Sequence, residues 1–341
     1  MRVLVTGGAG YIGSFTVRAL QVAGHEVVVY DNLSFGHPQA IRAELVIGDL
    51  ADASALDTCI ANGHFDAIIH FAAFIEAGES MVDAGRFFAN NTANAIHLMN
   101  VAAHHGIKNF VFSSTAGVYG NPIRVPIRED DPAVPINVYA ESKLLVERAL
   151  RWYDLVHGMR SVILRYFNAA GSSLDGSMGQ DHEPATHLIT VAIKAALGQI
   201  DGFTLFGEDY PTPDGTCVRD YIHVLDLASA HVVALDHLSD GGASDLFNVG
   251  TGTGYSNWDV IRTLKEISGS DFKVNRGPRR AGDPAELVAD STKLQSATGW
   301  RPTNSALETI IRSAWDWQRT HPQGYATHEA EHAHMSGIPH G

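Results

Sequence analysis

Two patterns in the sequence predict an α/β protein, a doubly wound parallel sheet followed by a smaller mixed α/β unit. Short apolar runs recur through the first half at the length of buried strands, and stretches with helical spacing separate them. Alternation of that kind builds parallel strands joined by crossover helices. The runs fall at residues 3–5, 27–30, 45–47, 67–71, 110–112 and 162–164, and the helical stretches at 11–22, 54–61, 87–104 and 138–156. Past Phe167 the alternation loosens into turn-rich segments such as GSSLDGSMGQDHEP and EDYPTPDGT, with helical spacing over 224–235, 259–267 and 306–320. A boundary near 167 follows: a first domain over 1–167, a smaller one over 168–320 from which segments can return to the first, and a poorly ordered tail over 321–341. The tail carries His328, His332, His334 and His340; a frayed terminus explains such a segment more simply than a metal site, and no metal is assigned.

Composition narrows the partners. Against 24 basic residues stand 38 acidic ones, a formal charge of -14, which argues against nucleic acid or an anionic membrane as the main partner. Cys59 and Cys217 are too few for a disulfide framework or a structural zinc site. No stretch reaches the roughly 18 uninterrupted apolar residues of a membrane span, and a cytoplasmic protein is expected.

In an open parallel sheet, ligands lie outside the carboxyl ends of the strands, so the residues after each apolar run carry the chemistry. The first run ends in GGAGYIG. Gly8, Gly10 and Gly13 meet the dinucleotide fingerprint, and Gly7, Gly10 and Gly13 form an evenly spaced triplet. Glycines there let backbone N–H groups approach a pyrophosphate at a helix N-terminus. The second run ends at Asp31, whose carboxylate suits an adenosine ribose and repels a 2′-phosphate; a Rossmann domain binding NAD rather than NADP is expected.

Tyr139 and Lys143 stand four apart at the start of a helix and therefore share a face. A phenol is a poor base at pH 7, but an adjacent ammonium and a positively charged nicotinamide both favour its phenolate, so Tyr139 is the expected general base. The strand before it ends in Ser113, Ser114 and Thr115, at the edge where a hydroxyl can touch a substrate alcohol and relay its proton.

With these residues the chain resembles the extended short-chain dehydrogenase/reductase family. GGAGYIG, DNLSFGH, HFAA, FSSTAGVYG, YAESK and LRYFNAAG occur in that family's order, and GEDYPTPDGTCVRDYIHVLDLA is similar to the UDP-glucose 4-epimerase branch, over residues 1 to about 320. The resemblance implies that Tyr11 and Ile12 lie on the pyrophosphate turn, that Asp31 and Asn32 take the adenosine ribose, and that Asp49 and Leu50 flank the adenine. It implies that Phe71, Ala72, Ala73 and Asn90 line the cofactor, that Lys143 reaches the nicotinamide ribose, and that Phe167 closes the pocket nearby. Thr115 and Tyr139 match the catalytic pair. The nucleotide-sugar is implied to rest on Asn168, His187, Leu188, Thr204, Leu205, Phe206, Arg219, Arg280 and Asp283, with Leu287 beside the sugar. Guanidinium forks such as Arg219 and Arg280 suit phosphate oxygens.

Two departures stand out. Where family members place a lysine after HFAG, this chain has Ile75, and where some place a tyrosine beside the sugar it has Leu287, which leaves N-acetylhexosamine substrates open. Related dehydratases follow the catalytic threonine with Asp and Glu; here Ala116 and Gly117 follow it, and neither can transfer a proton, so elimination is disfavoured. The resemblance thus implies reversible inversion at C4 of a UDP-hexose with bound NAD, UDP-glucose and UDP-galactose being the leading pair. A UDP-pentose or UDP-N-acetylhexosamine 4-epimerase is the nearest alternative, and a non-catalytic NAD-sensing protein the alternative of another class. A homodimer is expected through the helices 87–104 and 138–156, whose Phe88, Ile96, Met99, Leu145, Val146 and Leu150 exceed what one buried face needs.

Overall fold

The computed structural model describes residues 1–280 and 283–326. The strands are β1 (Arg2–Thr6), β2 (Glu26–Asp31), β3 (Glu44–Ile47), β4 (Ala67–His70), β5 (Asn109–Thr115), β6 (Arg160–Tyr166), β7 (Asn168–Ala170), β8 (Phe203–Phe206), β9 (Val218–His223), β10 (Asp245–Val249), β11 (Gly254–Ser256), β12 (Val274–Gly277) and β13 (Glu286–Leu287). Seven of them form one sheet in the order β10-β6-β5-β4-β1-β2-β3, every neighbouring pair parallel. The expected doubly wound α/β architecture is therefore present. The chain grows outward from β1 to β3, then returns to β4 and grows the other way, so the crevice between the carboxyl ends of β1 and β4 is the switch point where such sheets bind ligands.

The strands are apolar throughout because both faces are covered. Side chains alternate, sending Val3 and Val5 to one core and Leu4 to the other. The first core is closed by helices Tyr11–Val22 and Val224–Ser239, through Val17, Leu20, Leu227 and Leu235. The second is closed by Ala53–Gly63, Asn94–His104 and Val138–His157, through Leu56, Leu98, Val146 and Leu150. The last of these helices begins where the Asn137 side chain accepts from the Ala140 N–H at 2.9 Å and stops at Gly158, whose φ of 63° glycine adopts without strain. Met99, Val146 and Leu150 are fully buried against the sheet, so these three of the residues expected at a dimer contact are core residues instead. On the same helix Trp152, Leu155 and Val156 stand 65%, 76% and 66% exposed.

Past residue 167 the chain crosses back: helix Val224–Ser239 packs on Tyr11–Val22, and β10 extends the large sheet at its β6 edge. Helix Thr292–Thr298 returns with them, its Leu294 joining the first core, and most of the remainder forms the smaller unit, in which β9 pairs with β7, β11 and β13, and β8 with β12. Its core joins Ile189 and Ile193 of helix Leu188–Ala196, Val260 and Leu264 of helix Asn257–Ser268, and Ile310 and Ile311 of helix Leu307–Thr320. The four tail histidines lie outside the described residues. Among the described residues both cysteines are free thiols, and no helix is long and apolar enough to cross a membrane.

The stretch expected as one helix over 87–104 is interrupted. Helix Ala84–Phe87 passes into a π-helical turn, Phe88–Ala93, before Asn94–His104 continues. The wider turn lets Asn91 face inward, where its amide accepts from the Phe74 N–H at 2.8 Å and donates to the Phe74 carbonyl at 3.0 Å and to Ser142 Oγ at 3.1 Å. Three satisfied buried hydrogen bonds offset the cost of a locally irregular helix.

Candidate active site

The glycine turn after β1 is shaped by close approach. Gly7 has a φ of 73°, and a Cβ on it would stand 2.5 Å from the Ala72 nitrogen. A Cβ on Gly13 would stand 2.3 Å from the Gly7 carbonyl oxygen, so the first helix can rest on the turn only if residue 13 has no side chain. Gly10 caps that helix, whose first-turn N–H groups have no intrahelical acceptor and suit a diphosphate. At the end of β2, Asp31 Oδ2 accepts from the Ala9 N–H at 2.9 Å and Oδ1 from the Leu33 N–H at 2.8 Å. Burial pushes the carboxyl above its ordinary value, with those two N–H groups pulling the other way. Asn32 donates to Asp49 Oδ2 at 2.7 Å, tying the end of β2 to the end of β3.

These residues border a cavity of about 330 Å³ that opens at the β1/β4 switch point, within the size range of small-molecule sites. Gly7, Gly10, Tyr11, Ile12, Gly13, Asp31, Asn32, Asp49, Leu50, Phe71, Ala72, Ala73, Asn90 and Phe167 all line it, together with Thr115 and Tyr139. A cradle without Cβ atoms, a helix N-terminus and a carboxylate lining the cavity at the end of β2 together fit a dinucleotide. A second cavity of about 470 Å³ is lined by Asn168, His187, Leu188, Thr204, Leu205, Phe206, Arg219, Arg280 and Asp283. Asn168, Ala169, Gln180 and His187 border both, so the two form one continuous cleft. Arg280 lies over the Phe206 ring at 4.2 Å, and Arg219 sits on β9 in register with Leu287 on β13. Five of the sequence-derived residues, Gly8, Ser113, Ser114, Lys143 and Leu287, line neither cavity. Leu287 packs against the buried cluster of Ala116, Val118, Tyr119 and Phe167. Lys143 is buried beneath the site, its Nζ donating to the Ser113 carbonyl at 3.0 Å and lying 5.0 Å from the Phe112 ring centroid.

In the protein alone burial holds the Tyr139 phenol far above its ordinary value of 10, Tyr166 and Glu76 adding to the effect and the Thr115 hydroxyl opposing it. Burial likewise draws the Lys143 ammonium down to about 7, against the pull of the Glu147 carboxylate. The spacing of four puts both residues on one helical face, and both shifts come first from taking an ionisable group out of water.

Sequence reasoning missed several residues that border the first cavity, among them Phe35, Glu76, Tyr166 and His182. Tyr166 ends β6 beside β5, where its hydroxyl accepts from Ser113 Oγ at 3.1 Å. Phe35 lies inside DNLSFGH, the segment after β2, where the strand-end rule could have found it; Glu76 and His182 come from loops that carry no motif.

A family model described as the NAD dependent epimerase/dehydratase family matches residues 3–250. A protein of Azospirillum brasilense named UDP-glucose 4-epimerase is 51% identical over 321 residues, covering 94% of this chain and 92% of that one. A crystal structure of UDP-glucose 4-epimerase from Brucella ovis in complex with NAD superposes with a TM-score of 0.90 at 43% identity, covering 92% of this chain and 97% of that one. One from Bifidobacterium longum, in complex with NAD+ and UDP, superposes with a TM-score of 0.92 at 35% identity, covering 95% and 100%. On sequence and fold alike, the chain belongs to the NAD dependent epimerase/dehydratase family.

Proposed function

We propose that this chain interconverts UDP-glucose and UDP-galactose by inverting C4, with NAD as its resident cofactor. The observation that carries this is the continuous cleft, in which Thr115 and Tyr139 stand on the dinucleotide side and Arg219 and Arg280 on the other. The glycine turn, Asp31 and the end of β4 would hold NAD, whose nicotinamide would supply the hydride acceptor for C4 and the donor for its return. Tyr139, assisted by the Thr115 hydroxyl, takes the proton of the 4-hydroxyl as that hydride leaves, and gives it back as the alcohol re-forms. Lys143, held under the site by Ser113, lies one helical turn after Tyr139 on the same helix. Arg219 and Arg280 grip the diphosphate while the 4-keto sugar turns, so that the second transfer meets the opposite face. Ala116 and Gly117 follow Thr115 and offer no acid or base for eliminating water, which supports epimerisation over dehydration. Purified protein given UDP-galactose is expected to form UDP-glucose, resolved by chromatography; no UDP-glucose would reject the hexose assignment and send the test to UDP-arabinose.

A homodimer through helices Asn94–His104 and Val138–His157 belongs to the same proposal. Trp152, Leu155 and Val156 share one exposed face, and Phe88, Ile96 and Leu145 are only half-buried. Light scattering at micromolar concentration should give twice the chain mass, and a single-chain mass would reject the dimer. Two free thiols and no membrane-crossing helix among the described residues support a cytoplasmic location.

A further inference from the structure

Three separate loops meet along the wall of the cavity proposed for the dinucleotide. Phe35 comes from the loop after β2, Glu76 from the loop after β4, and His182 from the segment between β7 and helix Leu188–Ala196 that belongs to the smaller unit. All three line the cavity, and they touch one another. His182 Nε2 lies 2.8 Å from Glu76 Oε1, with the two side chains 12% and 10% exposed. The His182 ring stacks on Phe35 with centroids 4.9 Å apart. Burial pushes the Glu76 carboxyl up, but the hydrogen bonds from His182 and from the Ile75 N–H outweigh it and hold the group below its ordinary value, as suits an ionised acceptor.

Each partner is braced from behind. Phe74, next to Phe35 in an edge-on contact at 6.3 Å, is fixed by Asn91 and lies under the Arg86 guanidinium at 4.2 Å. On the other side the Asp181 carbonyl is 2.7 Å from His37 Nε2, and Asp181 Oδ2 accepts from the Tyr325 N–H at 2.9 Å. A ligand lying between the sheet edge and the smaller unit is therefore spanned by a link whose two ends are rigid. Parting the link breaks a charge-assisted hydrogen bond and unstacks two rings, while the ends cannot follow one another outward.

We propose that Phe35, Glu76 and His182 form a clasp that sets how slowly the dinucleotide leaves the chain, and so carries it through successive turnovers; this rests on the assignment of the first cavity to NAD. None of the three needs to touch the reacting atoms. They are positioning residues, and the quantity they govern is a dissociation rate rather than a chemical step.

The test uses purified holoenzyme diluted into buffer with an enzyme that destroys free NAD, the NAD still bound being measured at intervals after acid quench. Glu76→Gln and His182→Phe, the latter keeping the stack but losing the N–H, should each release NAD at least about tenfold faster than the wild type. The double variant should release it no faster than the worse single one, because both remove the same interaction. Phe35→Leu should also accelerate release. Wild-type release rates in Glu76→Gln and His182→Phe, or single effects that multiply in the double variant, would overturn the clasp while leaving the epimerase assignment intact. If His182→Phe does not fold, as judged by its thermal transition, Glu76→Gln and Phe35→Leu decide the matter in the same way. A wild-type chain that takes up no NAD at all would overturn the cofactor assignment and the clasp with it.

Discussion

Tyr139→Phe should turn over UDP-galactose at least about 100-fold more slowly than the wild type, with the loss in kcat rather than KM. The phenol is buried, lines the cleft and has the Thr115 hydroxyl beside it, so removing its oxygen takes away the proton acceptor and leaves the binding surface in place. The active form is the phenolate. Since burial raises the phenol above 10, the deprotonated fraction grows across the whole assay range, and wild-type kcat should climb as pH rises from 6 to 9. In Tyr139→Phe the profile should be flat. Near-normal turnover in the variant, or a wild-type rate that falls with rising pH, would show that another group is the base.

Glu147→Ala should lower stability by about 3–5 kcal/mol, the usual cost of stripping one partner from a buried ion pair, and the thermal midpoint by on the order of 10 °C. Glu147 and Arg165 are 1% and 4% exposed. The Glu147 carboxylate accepts from Arg165 Nε at 3.0 Å and from its terminal nitrogen at 2.5 Å, and Ser114 Oγ donates to it at 2.5 Å. Alanine leaves the guanidinium buried with Tyr119, whose ring centroid is 4.7 Å away, as its remaining charge-stabilising neighbour among the described residues. The same carboxylate holds up the Lys143 ammonium. Between about 7 and its ordinary value of 10.5, the unfolded chain holds a proton on Lys143 that the folded chain lacks, so this group makes stability rise with pH across that window. Without Glu147 the folded value drops further and the window opens below pH 7. Midpoints measured at pH 6, 7.5 and 9 should therefore climb from a lower acid limit in the variant; a variant as stable as the wild type would sink this account.

Six strands of the large sheet were visible as apolar runs because parallel strands buried on both faces carry no polar alternation to blur them. The seventh was not, since Asp245–Val249 follows a long helix and returns to the sheet from the smaller unit, a tertiary event that no local pattern records. The nucleotide half of the cleft was legible for a related reason: its ligand is met by backbone, and close backbone approach writes itself into the sequence as glycine at 7, 10 and 13. The environment of Tyr139 and Lys143 was not legible, because desolvation depends on what surrounds a residue and not on the spacing between two. Glu76 and His182 lie 106 residues apart, and only folding makes them neighbours.

The π-helical turn at Phe88–Ala93 holds one residue more than a regular helix would use over the same rise. Each residue of an α-helix advances about 100° around the axis, so winding the same residues as an uninterrupted α-helix would rotate everything downstream against everything upstream by that angle. Asn90 would swing off the cleft, or Leu98 and Met99 would swing off the sheet. The segment thus splices two angular alignments that an uninterrupted cylinder could not satisfy together, one answering to the ligand and one to the hydrophobic interior.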